Sequence, residues 1–174
     1  MSHQPDFEQF RKALTRVGTP THLPFYEHIA SGGFINHRLG VDLDRLAGRD
    51  YWQLIVEFWL GLGFDCVPME IAPRLHLGDN NGRGLSHGSE ARAVIRTRAE
   101  FDAYDWPEPA SAVSLEPFEI VAQLLPEGAK IVGGVGAGPF EWVSQMMGVV
   151  GLSYALLDDP QLVADMFHRV RQIH

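Results

Sequence analysis

The sequence predicts an α/β fold organised around a parallel sheet. Two runs, "FDCVPMEI" and "AKIVGGV", have strand character, and each follows a helical pattern across a short glycine turn. The elements read in the order α, β, α, β, hairpin, α, β, α, α, with no internal repeat and no low-complexity linker.

Each element has a local reason. In "PDFEQFRKALTRV" the residues Phe7, Phe10, Ala13, Leu14 and Val17 share a helical face, and Asp6 is positioned as its N-cap. "THLPFYEHI" reads as a short first strand, with Pro24 confining it to a strand end or edge. "SGGFINHRLG" reads as loop, and "DLDRLAG" as a short helix closed by Gly48. "DYWQLIVEFWLGL" is the clearest helix: Asp50 caps it, Trp52, Ile55, Val56, Trp59 and Leu60 keep the helical period, and Gly61 and Gly63 end it. "FDCVPMEI" is a buried strand. The Gly-, Asn- and Asp-rich segment 72–97, with "DNNG" as a turn and "RAVIR" as a returning arm, predicts a β-hairpin excursion. "TRAEFDAY" is a short helix capped by Thr97 and broken by "DWPEPAS". "SLEPFEIVAQLLPEG" is a helix capped by Ser114, and "AKIVGGV" the next strand. Pro139 opens a further helix, and Asp159-Pro160 caps and opens the last one.

Composition narrows the function. A net charge of −8 argues against non-specific nucleic-acid binding, which needs a basic face. No stretch approaches the ~18 apolar residues of a membrane span, and the N-terminus lacks an apolar signal core, so a cytoplasmic protein is expected. The single cysteine, Cys66, forms no internal disulfide.

The glycines at 133, 134, 136 and 138 invite comparison with phosphate loops. The dinucleotide spacing fails, because the third glycine falls on Pro139 or Glu141. The P-loop spacing from Gly133 to Gly138 fails as well, because Pro139 stands for the lysine and Phe140 for the hydroxyl. The glycines instead allow a close backbone approach and a sharp turn into a helix. Side chains at the carboxyl ends of parallel strands face the ligand crevice. That places Glu70 in the site with Arg74 as an anion binder and His76 beside it, and it discounts Asp65 at the strand's start. His22 and His28 flank "LPFYE" as pocket residues. The set His76, Asp79 and His87 matches no standard zinc spacing, and Cys66 has no partner cysteine, so no metal is expected. Trp52, Trp59 and Trp142 read as core and Trp106 as a loop anchor.

Four segments in order resemble the uroporphyrinogen decarboxylase superfamily: "GLGFDCVPMEIAP", "GSEARAVIRTRAEFDAYDWPEPAS", "VGAGPFEWVSQMMG" and "ALLDDPQLVADMFHRV", within a likeness running over roughly residues 20 to 173. The resemblance implies a partial (β/α)8 TIM barrel: about the first three βα units, with a β-hairpin excursion after the second strand. Residues 1–174 would form one incomplete barrel domain with its later strands beyond His174. It implies a site at the carboxyl strand ends: Glu70 in the place of the family's strand-end aspartate, Arg74, His76 and His22 near the substrate, and Gly136, Gly138, Pro139 and Phe140 under it. The decarboxylases carry an arginine pair after the first strand, where this chain has only Arg38. They also carry a tyrosine six residues after the signature proline, where this chain has Gln145.

These departures shift the expectation from tetrapyrrole acetate decarboxylation, as in porphyrin biosynthesis, towards methyl transfer on a corrinoid-linked substrate. The methyltransferase relatives hold zinc through His and Cys residues of the barrel's second half. This chain is therefore expected to bind no cofactor itself, with corrinoid or zinc belonging to a full-length parent. An open parallel sheet also predicts self-association through its unpaired edge, or a catalytically inert half-barrel.

Overall fold

The computed structural model describes residues 3–78 and 90–174. Its elements are α1 (Phe7–Thr15), α2 (Gly32–Leu39), α3 (Gly48–Gly61), β1 (Cys66–Ile71), α4 (Arg98–Ala103), α5 (Glu116–Leu124), β2 (Lys130–Val135), α6 (Pro139–Met147), α7 (Val149–Asp158) and α8 (Pro160–Ile173). The fold is mixed α/β and rich in helix, with two parallel strands among the described residues, in one open sheet of order β1-β2. Among the described residues no helix is long and apolar enough to cross a membrane. The chain divides into two compact units, one of residues 1–70 with 115–134 and the other of 71–114 with 135–174.

In the first unit, Asp6 caps α1 as its sequence predicts, accepting from Glu8 N–H at 3.1 Å. The α1 start is also held by Phe7 N–H donating to the Gly128 carbonyl at 2.8 Å. Gly128 sits at φ +89, and a Cβ there would overlap the Pro5 carbonyl oxygen, so both conformation and space require glycine. The core gathers Phe10, Ile35, Val56, Phe58, Trp59 and Val67, with α3 packed along α5. Cys66, Val67, Pro68 and Met69 are all buried, as the apolar run predicts. β2 is only half-buried. Gly133 lies so close to β1 that a Cβ would overlap the Met69 carbonyl oxygen.

Several expectations are corrected here. "THLPFYEHI" forms no strand. Backbone groups alternate between the two edges of a strand, and the Ile71 carbonyl accepts from Gly136 N–H. Pro68, three residues earlier, therefore faces the edge away from β2, where it has no N–H to offer a third strand. "SGGFINHRLG" is not loop but α2: Ser31 accepts from Phe34 N–H, and Gly40, at φ +68, ends the helix. "DLDRLAG" contracts to a 3-10 turn at Leu43–Arg45, and Gly48 opens α3 rather than closing the segment before it. Asp50 lies in the first turn of α3 instead of capping it, since the N-cap is Ala47. Ser114 does not cap α5, whose N-cap is Leu115.

In the second unit, Thr97 and Glu100 form a reciprocal capping box on α4, and Asp159 caps α8 through Leu162 N–H at 2.9 Å. Trp142, Val143, Met146 and Met147 of α6 pack with Met166 and Val170 of α8 in one buried cluster. The returning arm "RAVIR" is not a strand. Its Val94 and Ile95 N–H groups both donate to the Met146 carbonyl at the end of α6. The turn of the predicted hairpin, 79–89, lies outside the described residues. Helix α7 had no counterpart in the sequence reading.

Candidate functional site

In the first unit, β1 carries Glu70 to its carboxyl end, where His28 meets it. His28 Nδ1 lies 2.9 Å from Glu70 Oε1, and both side chains keep access to solvent. A carboxylate can only accept, so the contact assigns the Nδ1 proton to the Glu70 side and leaves His28 Nε2 as the free nitrogen. Below the pair lies a cavity of about 180 Å³, lined by Tyr51, Trp52, Trp59, Ile35 and Met69. Sites that enclose a drug-sized ligand measure roughly 300–1,000 Å³. This one therefore suits a single ring or side chain of a larger ligand. Trp59 is buried in the core as expected, and with Trp52 it also forms the cavity wall.

A carboxylate that orients an imidazole, at the rim of an aromatic cavity, is an arrangement that moves protons. In such an arrangement the carboxylate can fix the ring and its tautomer, which leaves Nε2 able to take or give a proton. The sequence places both residues near a pocket, but it does not pair them. The signal was an imidazole four residues after Pro24 and a strand-end carboxylate, which only the tertiary fold joins.

His22 stands apart from Glu70. Its Nε2 lies 2.7 Å from Asp65 Oδ2, and His3 Nε2 lies 3.1 Å from Asp65 Oδ1. Asp65 also accepts from Asp6 N–H at 2.9 Å and is fully buried. His22 borders a different cavity, of about 460 Å³, with Asp6, Glu127 and Gly128.

The remaining predicted residues belong to the second unit. Arg74 is exposed, and its backbone N–H donates to the Ala112 carbonyl at 2.8 Å. His76 is exposed, and its carbonyl accepts from Tyr104 Oη at 2.8 Å. Burial pushes the Tyr104 phenol up from its ordinary value. Gly136 is buried, with its carbonyl accepting from Trp142 Nε1 at 3.1 Å. Gly138 is the N-cap of α6 and Pro139 its first residue. The sharp turn falls on neither glycine: Ala137 occupies the left-handed region at φ +57, and its carbonyl is held by His174 Nε2. Phe140 is exposed and stacks on Phe167 at 6.5 Å between ring centroids, whereas Gln145 is buried on α6. Trp106 anchors its loop through Nε1 to the Phe101 carbonyl at 3.1 Å.

For metals the donor set is poor. Among the described residues no group of three or more His, Cys, Asp or Glu side chains is arranged to hold a metal ion; His3 and His22 meet Asp65 as hydrogen-bond partners. Burial, reinforced by the Asp65 charge, pushes the Cys66 thiol up to about 11, which does not suit a thiolate ligand. Asp79 and His87 lie outside the described residues. Comparison with protein-family models, with curated proteins and with solved structures finds no match to this chain.

Proposed function

We propose that the chain belongs to an enzyme resembling the uroporphyrinogen decarboxylase superfamily, a (β/α) barrel in which the His28–Glu70 pair handles a proton of the substrate. The observation that carries this reading is the 2.9 Å contact of His28 Nδ1 with Glu70 Oε1 at the end of β1, over an aromatic cavity. Glu70 stands where the family resemblance puts an acidic residue that faces the substrate. The cavity accepts one ring or side chain of a tetrapyrrole-sized ligand, whose remainder lies outside it.

Within this reading, methyl transfer on a corrinoid-linked substrate is preferred to decarboxylation of acetate side chains. Arg38 stands alone where decarboxylases have an arginine pair, and Gln145 occupies the tyrosine position. A corrinoid, when bound, would supply the methyl-carrying metal, while this chain's own residues orient the acceptor and hold its proton at His28 Nε2.

Equilibrium dialysis against hydroxocobalamin and, separately, against uroporphyrin tests the proposal. Saturable binding of the corrinoid is expected, weakened at least about tenfold in Glu70→Gln while the thermal melt stays unchanged. Binding of uroporphyrin alone would turn the reading towards decarboxylation. Binding of neither ligand, or binding that Glu70→Gln and His28→Ala both leave untouched, sinks it.

A further inference from the structure

Helix α7, "VVGLSYALLD", holds one charged residue, and that one is its last. A helix that is apolar all round is normally covered all round, yet α7 is covered on one side only. Leu152 and Ala155 are buried in the second unit's core. Leu157 is 82% exposed and Tyr154 66%, while Val149, Val150 and Leu156 are each more than half exposed. At 3.6 residues per turn, Leu156, Val149, Ser153, Leu157, Val150 and Tyr154 follow one another around an uninterrupted arc of about 160°. Of the two hydroxyls on that arc, Ser153 Oγ donates to the Val149 carbonyl at 2.7 Å, and the Tyr154 phenol lies at the arc's edge. Apart from that phenol, the face is apolar.

Its two ends carry opposite charge. Glu90 wraps its carboxylate around the N-terminus of α7, accepting from Val150 N–H at 2.7 Å and Gly151 N–H at 3.3 Å, so that negative charge is absorbed by the helix end. Arg96 is tied to the same end by Nη2 donating to the Glu90 carbonyl at 3.1 Å. Among the described residues it has no carboxylate within ion-pair distance. Asp158 closes the other end, exposed and likewise without an ion pair among those residues. The helix is ~15 Å long. A cation at one end and an anion at the other, with an uncharged face between them, complement themselves when the strip is rotated by a half-turn.

We propose that α7 is the interface of a two-fold dimer of this chain. Two copies of α7 pack antiparallel, Leu157 and Tyr154 of each against the other. Arg96 of one copy meets Asp158 of its partner at both ends. Beside the strip a cavity of about 400 Å³ opens between Arg96, Gly151, Tyr154 and Asp158. It gives a facing side chain room to seat. The proposal is independent of the catalytic reading, which concerns the other unit.

Sedimentation equilibrium of the whole chain at micromolar concentration is the test. The wild type is expected to be a dimer, and Leu157→Asp a monomer with the wild-type melt. Arg96→Glu is expected to weaken the dimer several-fold, and Arg96→Glu with Asp158→Arg to restore it. Ser153→Cys, near the middle of the strip, should give a disulfide-linked dimer on mild oxidation, against the low background of buried Cys66. A wild-type monomer overturns the proposal, and a different polypeptide captured by α7 of that monomer would name what covers the face instead. A dimer that survives Leu157→Asp also overturns it, by placing the contact elsewhere, such as the sheet edge.

Discussion

Asp65 and Glu70 stand at the two ends of the same strand and are used in opposite ways. Asp65 is sealed from solvent and accepts from His3, His22 and the Asp6 backbone. Glu70 is about a third exposed and, among the described residues, has one side-chain partner, His28. Both are carboxylates near an imidazole, so residue type does not separate them; burial and the number of donors do. A buried carboxylate with three donors is a fastener, because releasing any partner leaves an unsatisfied group out of reach of water. A half-exposed carboxylate with one donor has a lone pair to spare for a ligand. The fastener secures the N-terminal segment, and the open carboxylate sits over the aromatic cavity.

Removing the fastener should have the largest effect. Asp65→Ala strands the Asp6 N–H, frees His3 and His22 and leaves a small void, which together should cost about 3 kcal/mol in urea denaturation. A loss below about 1 kcal/mol would mean that Asp65 is no more structural than Glu70. The partner histidines sharpen the contrast at smaller scale. His22→Ala leaves the buried carboxylate one donor short and should cost about 1–2 kcal/mol, less than the whole anchor because His22 is itself part-exposed. His28→Ala breaks only an exposed pair and should stay within about 0.5 kcal/mol of wild type. Equal losses for the two histidines would erase the distinction.

How far the sequence carried depended on whether the decisive partner lay nearby in the chain. Asp6 on α1, Thr97 on α4 and Asp159-Pro160 on α8 are local signals, and each predicted its helix start. Ser31 is as local, but Gly32 and Gly33 after it suggest a loop, and α2 was missed. The cap of α7 is not local at all: it comes from Glu90, 60 residues earlier in the chain. The missing first strand turns on Pro68, whose effect depends on which edge of β1 it faces. Glu70 was legible from its position at a strand end, whereas its partner His28 required the fold. Asp65 was discounted because strand starts face away from ligand crevices. That argument was sound for catalysis and silent about anchoring. An acid set inside the otherwise apolar run "GFDCVPM" was the available signal, since such a charge has to find donors.

The smallest expected effect reads the Asp65 end of the strand directly. Cys66 follows Asp65 and is buried with it. Burial first, and the neighbouring negative charge second, raise its thiol from 9.0 to about 11. The folded protein therefore favours the neutral thiol, while the unfolded chain ionises near the ordinary value. Below pH 9 this preference contributes in full. As pH rises from 9 towards 11 the unfolded state loses its proton first, and the fold loses stability through that window. Wild type should thus fall faster than Cys66→Ala across the window and in parallel with it below. Asp65→Asn removes the second cause and keeps the first, so it should narrow the window without closing it. The native thiolate absorbance, titrated in both proteins, measures that shift. If Asp65→Asn leaves the Cys66 titration where it was, the charge at position 65 is not felt one residue away, and the contrast with Glu70 reduces to burial alone.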